Sequence, residues 1–405
     1  MKHITCGNIK EEPNMAISND HLTEALKKMD AQFEKDTLDW LASLYDEETG
    51  GFYYAVSSRD YEGFAADIED TAFAIDFLTD TGVMPVSRDA ELPSRFRDRL
   101  ITFLQSRQDR ESGYFYDVQF GSQVCPSKRD RNLFQATKQL ERFHETWLYP
   151  TPTERAASHA EEASCALPEE FQSEEKLLKW LHTLDFENSP YPAGHAVSSA
   201  SPQLKELGLD AIVTEYLTKI QNPKTGMWGK ALDYNSVNGA MKAAYIFSKA
   251  HPYPNIDRMF VSALPIIKSI IPRTTAEVWN PLSLFQVVLS QYGGKEGIPA
   301  ETARQLDDSI AEIIDNAAEN LKRFKQPDGG YSWSPQGSSI TSQGVVVCLG
   351  LKEGDVNGTA LASLTRIYAY LLAGVEMPLC YAPYRDDFFA RIAHAKIPVK
   401  KPVER

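Results

Sequence analysis

The chain has 405 residues, 42% of them hydrophobic, and a formal net charge of −14 at pH 7. Phosphate binding needs a concentrated basic surface, so this acidic balance argues against a nucleic-acid partner. The same charge repels an anionic membrane, and only a local apolar patch would allow peripheral contact with lipid.

The cysteines and the N-terminus predict the compartment. Five cysteines, an odd number with no C-x-x-C pair, favour neither a disulfide framework nor a structural zinc site. Residues 1–18 form a polar lead-in without the apolar core of a secretory signal, and no window reaches 18 uninterrupted apolar residues. The sequence also lacks the common nucleotide- and metal-binding motifs. We therefore expect a soluble, cytoplasmic protein with no transmembrane segment, no metal and no cofactor.

The first predicted helix covers residues 19–44, where apolar side chains recur at steps of three and four. A glycine turn follows this helix and recurs three more times along the chain. Its pattern is Asp or Asn, two variable residues, Thr or Ser, Gly, one residue and an aromatic, and the last copy is one residue shorter. The turn glycines are Gly50, Gly113, Gly226 and Gly329.

Each turn glycine is expected to adopt the left-handed conformation that closes a helix, with the aromatic packed against the helix ends. A glutamine precedes three of the turns, at Gln108, Gln221 and Gln326. These glutamines are expected to cap backbone groups and to bridge to the neighbouring unit.

The spacing of the turns predicts how many units the chain contains. The four turn glycines are separated by 63, 113 and 103 residues. Since the last two gaps are roughly double the first, each is expected to contain one degenerate unit, with helices near 173–184 and 257–271. Six helix pairs of this size predict a stacked or closed array.

The helices after the turns also begin alike. Asp67-Ile68-Glu69-Asp70-Thr71-Ala72 parallels Asp355-Val356-Asn357-Gly358-Thr359-Ala360, and Asn238 lies in a third copy of this start. The segments 71–78, 240–248 and 359–373 are rich in Ala and large apolar residues, which is typical of inner helices. For residues 344–349 the sequence predicts either an extended segment or the start of a buried helix. We predict one domain over residues 19–395 and a mobile tail at 396–405.

These units resemble the repeats of squalene–hopene cyclases and protein prenyltransferase β-subunits. The resemblance implies an all-α protein, an (α/α)6 toroid in which about six helical hairpins surround a central cavity. The six residues from Asp67 to Ala72 are similar to the acid motif of class II terpene cyclases, Asp-x-Asp-Asp-Thr-Ala, with Glu69 at the middle position. The resemblance implies that Glu69 protonates an alkene of an isoprenoid substrate and that Asp67 and Asp70 tune its acidity.

The same resemblance implies a cavity that binds the substrate. Aromatic rings there would stabilise carbocations through their quadrupoles. The aromatic candidates are Trp228, Trp279, Tyr331 and Trp333. The polar candidates near helix starts are Asp233, Asn238, Asp355 and Asn357.

Two other functions stay open from the residues alone. A glycosidase or polysaccharide lyase would place Asp67, Glu69, His144, His195 and Tyr191 around an aromatic sugar platform. A non-catalytic toroid would bind a ligand in its cavity, and the three acids would then only cap the helix start.

Overall fold

The computed structural model describes residues 20–85, 92–152, 154–155, 169–394 and 399–403. Within these ranges most residues are helical, and the strands are one antiparallel pair of two residues each, Thr341–Ser342 and Val345–Val346. The all-α prediction is therefore confirmed. No helix in the described ranges is long and apolar enough to cross a membrane. The predicted lead-in at residues 1–18 lies outside the described residues.

The α-helices with both ends described are numbered here in chain order. They are α1 (Asp20–Asp30), α2 (Lys35–Ser43), α3 (Val56–Asp60), α4 (Ile68–Asp80), α5 (Ser94–Ser106), α6 (Pro126–Arg142), α7 (Glu174–Thr183), α8 (Pro190–Glu206), α9 (Asp210–Ile220), α10 (Tyr234–Ala244), α11 (Ile256–Ser269), α12 (Thr275–Gln291), α13 (Ala300–Leu321), α14 (Val356–Ala373) and α15 (Arg385–Ile392). Short 3₁₀ turns occupy Glu169–Phe171, Lys295–Gly297 and Ala382–Tyr384.

The single helix predicted over 19–44 is wrong, because the chain forms α1 and α2 with a break at 31–34. At the break the Asp30 carboxylate accepts a hydrogen bond from Arg366 Nε at 2.7 Å. The Gln32 carbonyl accepts the Tyr331 hydroxyl at 2.5 Å. The apolar spacing continues across the break, so it gives no sign of these contacts. The helices predicted near 173–184 and 257–271 are confirmed as α7 and α11.

Two compact units divide the described chain. The first contains residues 20–28, 169–270 and 280–316, and in it α8 packs against α10. The second contains the other described residues, and in it α4 packs against both α6 and α14. The predicted single domain over 19–395 and the toroidal arrangement of the hairpins stay predictions.

The four glycine turns adopt the predicted backbone. Gly50, Gly113, Gly226 and Gly329 have φ angles of +89°, +75°, +66° and +102°. In the first three, the glycine N–H donates to the carbonyl of the Asp or Asn four residues earlier, at 2.7–2.9 Å. The left-handed turn predicted from the repeat is confirmed.

The predicted bridging role of the turn glutamines is confirmed at two positions. Gln108 Nε2 donates to the Gly113 carbonyl at 3.2 Å and to the Tyr149 carbonyl at 2.7 Å. Gln221 Nε2 donates to the Gly226 carbonyl at 2.9 Å and to the Pro254 carbonyl at 3.1 Å. Each amide thus closes its own turn and holds the chain that leads into the following segment.

Substitution of Gly226 by alanine is expected to be much more destabilising than the same change at Gly121. Both glycines are left-handed, with φ of +66° and +61°. Strain of the left-handed backbone alone is expected to cost Gly121→Ala about 1–2 kcal/mol. A Cβ on Gly226 would lie 2.4 Å from the Met259 nitrogen, whereas a Cβ on Gly121 meets nothing within 4 Å. This overlap adds roughly 1–3 kcal/mol. Urea unfolding of both variants measures the difference, and equal losses would contradict it.

The inner-helix starts repeat in three dimensions as well as in sequence. Asp67 and Asp355 are the N-caps of α4 and α14, and their Oδ1 atoms accept backbone N–H groups at 2.8 and 2.6 Å. The Phe52 N–H donates to Thr71 Oγ1 at 2.9 Å, just as the Tyr331 N–H donates to Thr359 Oγ1 at 3.0 Å. The Asp-x-x-x-Thr frame therefore caps a helix and fixes the aromatic that follows the turn glycine.

Residues 399–403, within the stretch predicted as a mobile tail, lie against residues 58–64. The Lys401 N–H donates to the Asp60 carbonyl at 2.8 Å, and the Lys401 carbonyl accepts the Glu62 N–H at 2.9 Å. The Lys400 ammonium lies 4.6 Å from the centre of the Tyr53 ring.

Candidate functional site

The second unit brings the starts of α4 and α14 to the same short segment, residues 52–55. Phe52 forms an antiparallel bridge with Asp67, and Ala55 forms one with Asp355. The Tyr54 carbonyl accepts the Val356 N–H at 2.9 Å. Tyr54 lies between these two bridged residues in the sequence, and only 1% of its side chain is exposed.

Four buried carboxyls surround one buried lysine. Asp67, Glu69, Asp70 and Asp117 are each at most 3% exposed, and Lys128 is fully buried. The Lys128 ammonium lies 3.7 Å from Asp67 Oδ2, 3.3 Å from Glu69 Oε2 and 3.8 Å from Asp117 Oδ2. Burial alone would lower the pKa of Lys128, but these carboxylates raise it above its usual range. We call these five residues the acid cluster.

Glu69 is held as a carboxylate by two cations. Its Oε1 pairs with Arg131 Nε, its Oε2 accepts from Lys128, and Ser342 Oγ lies 3.5 Å from Oε2. Burial would raise the pKa of Glu69, but Arg131 and then Lys128 outweigh burial and lower it. Glu69 is therefore poorly suited to donate a proton at neutral pH.

Asp70 has the opposite electrostatic environment. Its pKa is raised well above the usual range, first by burial and then by the neighbouring Asp67 charge. Its backbone N–H donates to Asp67 Oδ1 at 2.8 Å. Its carboxyl makes no hydrogen bond to any residue that the structure describes. The environment thus favours the protonated form of Asp70. The O–H group of this acid makes no hydrogen bond to a described residue.

Asp117 and Asp355 complete the set of buried acids. Asp117 accepts the Ile68 N–H and Asn132 Nδ2, both at 2.9 Å. Burial, followed by the Asp67 charge, raises the pKa of Asp117 to about 7. Burial also raises the pKa of Asp355 to about 7, although two backbone N–H groups at 2.6 Å stabilise its charge.

The charges of the acid cluster predict its protonation. Its four carboxyls face three cations, since Lys128 and Arg131 pair with them and the Arg107 guanidinium interacts with Asp117 and Asp67. Burial favours a neutral total, which is reached when one carboxyl holds a proton. The raised pKa of Asp70 assigns this proton to Asp70, and below about pH 7 Asp117 takes up a second one.

The Tyr54 hydroxyl is buried beside the Asp355 carboxyl. Its geometry falls short of a full hydrogen bond, yet its interaction with Asp355 acts to lower the pKa of that carboxyl. Burial, and then the Asp355 charge, raise the pKa of Tyr54, so its phenol keeps its proton. The phenol therefore faces Asp355 and links the start of α14 to the segment at residues 52–55.

Four residues predicted from the sequence lie at this site. Asp67, Glu69 and Asp70 are together, and Asp355 binds the Trp333 N–H at 2.6 Å. Other predicted residues of the second unit are half-buried, Asn357 and Trp279 among them. The Trp279 ring lies edge-on to Tyr368 of α14 at 5.9 Å, and its Nε1 is buried without a hydrogen-bond partner among the described residues.

Two of the predicted cavity aromatics are core residues instead. Tyr331 is fully buried. Trp228 is 2% exposed, its ring packs beside Phe186, Phe247 and Tyr253, and its Nε1 donates to the Leu217 carbonyl at 3.1 Å.

The other predicted polar residues of the first unit have local roles. Asp233 caps α10 by accepting the Ser236 N–H at 3.1 Å. Asn238 Oδ1 accepts Asn280 Nδ2 at 2.6 Å. Tyr191 and His195 are exposed on the first turns of α8, with stacked rings 6.3 Å apart.

His144 lies outside the acid cluster. It follows the end of α6, is exposed and has a φ of +56°. Lys128 and Arg131 lie near the start of the same helix. At 1.5 Å per helical residue, His144 is about 20 Å from Arg131 along the axis.

The sequence interpretation missed four residues that make the site, Tyr54, Asp117, Lys128 and Arg131. A usable signal for two of them was the basic segment Lys128-Arg129-Asp130-Arg131 in an acidic chain. Asp117 follows a turn glycine by four residues, but nothing in its local pattern marks it as a ligand of Lys128.

The fold and the site define a class, an all-α protein with a buried acid cluster in which one aspartate favours its protonated form. Searches of protein-family models, of curated proteins and of solved structures find no match to this chain. In the described ranges, no group of three or more His, Cys, Asp or Glu side chains is placed to hold a metal ion.

Proposed function

We propose that the protein is an acid-catalysing enzyme of the terpenoid-cyclase type, in which Asp70 protonates an alkene of an isoprenoid substrate. One observation carries this proposal: Asp70 is a buried carboxyl with a raised pKa and no structural hydrogen bond at its carboxyl among the described residues. A general acid must hold its proton at the working pH, and burial beside like charges produces that state. The repeats and the Asp-x-Glu-Asp-Thr-Ala segment support an α/α toroid with its cavity beside this acid.

The neighbouring residues have distinct parts in the proposed step. The Asp70 O–H bond breaks as a C–H bond forms, which leaves a carbocation and the Asp70 carboxylate. Lys128 stabilises this new carboxylate, and the candidate that stabilises the cation is the ring of Trp333, whose backbone N–H binds Asp355. Loss of a proton to a base such as Asp355, with its pKa of about 7, ends the reaction.

Glu69 is a positioning residue in this proposal. Its carboxylate holds Arg131 and Lys128 in place. Glu69 is also the residue that the resemblance to terpene cyclases implies as the proton donor. The proposal therefore assigns the proton to the acid that follows it in the chain.

Product analysis tests the proposal. Purified protein is incubated with squalene and with C15 and C20 prenyl diphosphates, and products are identified by gas chromatography and mass spectrometry. Asp70→Asn is expected to lower turnover by about 10²–10⁴-fold, the usual contribution of a general acid. Asp76→Asn, on the same helix and ion-paired with Lys138 at 2.6 Å, is the matched control and is expected to retain activity.

Two results would overturn the proposal. One is no product from any of these substrates, and the other is equal product from Asp70→Asn. Parallel incubation with a polysaccharide panel separates the competing hypotheses, since release of sugar that depends on Asp70 would indicate a glycosidase or lyase. No turnover of either class would favour the non-catalytic ligand-binding protein.

A further inference from the structure

A β-hairpin lies against the site. Its strands are Thr341–Ser342 and Val345–Val346. Ser342 Oγ lies 3.5 Å from Glu69 Oε2. Val345 packs, together with Phe120, against the buried group that contains Tyr54 and Cys348. The hairpin therefore contacts both the acid cluster and the buried group around Tyr54.

The hairpin is short. Its strands are only two residues long, and such short ladders contribute little stability by themselves. Gln343 and Gly344 are left-handed, with φ of +48° and +81°. The Cys125 thiol, a weak donor, donates to the Gln343 carbonyl at 3.3 Å.

The base of the hairpin is firmly held. The Val347 N–H donates to the Ile340 carbonyl at 2.9 Å, and the Ser338 N–H donates to the Leu351 carbonyl at 3.0 Å. Ser338 Oγ also reaches Glu353 Oε1 at 3.2 Å. Both ends of the segment 341–346 are therefore anchored.

Three apolar side chains in and beside the hairpin are exposed to solvent. Ile340 and Val346 are each 53% exposed, and Leu351 is 45% exposed. A molecule that approaches the site by this route passes an apolar rim.

We infer that residues 341–346 form a lid over the acid cluster and that the molecule the lid admits is apolar. The inference rests on the proposed function only in taking this cluster as the binding site. Opening of the lid exposes Cys348, which is 1% exposed when the lid is closed and whose pKa burial raises to about 12. The closed thiol is unreactive, so its modification reports opening.

A redox lock tests the lid. A Cβ on Gly344 would lie 3.6 Å from Cys125 Sγ, so Gly344→Cys can form a disulfide with the native Cys125 after a small shift. Peptide mapping verifies the bond, and N-ethylmaleimide labelling of Cys348 is followed by mass spectrometry. Oxidation of the variant is expected to slow this labelling by about tenfold or more, because local opening is blocked. Reduction should restore the rate.

Two controls isolate the lock from other effects. Gly344→Ser carries the same left-handed strain without a thiol, and Gly344→Cys with Cys125→Ser cannot form the bond. Both should label at a rate that oxidation does not change. The inference is overturned if the locked protein labels as fast as the reduced one. It is equally overturned if wild-type Cys348 labels only in proportion to global unfolding in urea.

The chemistry of the admitted molecule is tested with two probes, farnesol and maltotriose. Farnesol bound beneath the closed lid is expected to slow wild-type Cys348 labelling several-fold, and maltotriose should leave the rate unchanged. Protection by maltotriose alone, or by neither probe, would refute an apolar ligand. These readouts need no turnover, so failure of the proposed reaction is distinguishable from failure of the lid.

Discussion

Replacing Lys128 with methionine is expected to lower the free energy of unfolding by about 3–5 kcal/mol at pH 7. Lys128 is fully buried and lies within 4 Å of three carboxyls on two segments of the chain. Its removal leaves Glu69 paired with Arg131 and leaves Asp67 and Asp117 without an ion pair within 4 Å, with Arg107 as their nearby cation. Buried charges without compensation are costly, and methionine of similar length keeps the packing. Urea unfolding followed by circular dichroism measures the loss.

The loss should depend on pH. At pH 5 the uncompensated carboxyls take up protons more readily, so the effect of Lys128→Met is expected to shrink. Lys138→Met is the matched control, since Lys138 is on the same helix and pairs with Asp76 at a position where both side chains are more than a fifth exposed. A surface pair of this kind is worth less than about 1 kcal/mol. Equal losses from both variants would contradict a central role of Lys128.

The ion network also separates structural acids from a functional one. Asp67 caps α4, Glu69 binds two cations, and Asp117 accepts two hydrogen bonds. Each of these carboxyls has a structural task. The Asp70 carboxyl has no such task among the described residues, yet it is buried, where an ionised acid is costly. A buried acid without a structural task is where a functional one is to be sought.

Local patterns predicted the parts of the fold that local contacts build. The left-handed turn glycines and the helix predicted over 359–373, which lies within α14, follow from residues within four or five positions of one another. The extended alternative for residues 344–349 is also confirmed, at Val345–Val346. In each case the deciding contact lies inside the motif that the sequence displays.

Long-range contacts explain what the sequence did not predict. Lys128 reaches Glu69 across 59 positions, and Arg131 reaches it across 62. No local pattern links these residues. The Asp-x-Glu-Asp-Thr-Ala motif alone therefore indicated Glu69 as the proton donor, and only the structure shows the two cations that bind its carboxylate. Trp228 shows a second limit, because a core aromatic and a cavity aromatic have the same appearance in a sequence.

Asp70→Asn and Glu69→Gln are expected to change stability with opposite dependence on pH. The pKa of Asp70 is raised in the folded protein, so the wild type gains stability from its bound proton at low pH and loses it as pH rises through the folded pKa. An amide matches the neutral acid in shape and never ionises. Asp70→Asn should therefore lie within about 1 kcal/mol of wild type at pH 5 and should become relatively more stable towards pH 9, by at most about 1.4 kcal/mol per pH unit.

Glu69→Gln has the opposite sign because the pKa of Glu69 is lowered. Its carboxylate stabilises the fold above the unfolded pKa, and this contribution is lost as pH falls through the folded pKa. The variant should be clearly less stable than wild type at pH 7 and should approach it towards pH 4. Free energies of unfolding of the three proteins between pH 4 and 9 measure both trends. The two variants could instead change relative to wild type in the same direction as pH rises. Asp70 and Glu69 would then have similar electrostatic environments, and the assignment of the proton to Asp70 rather than Glu69 would be wrong.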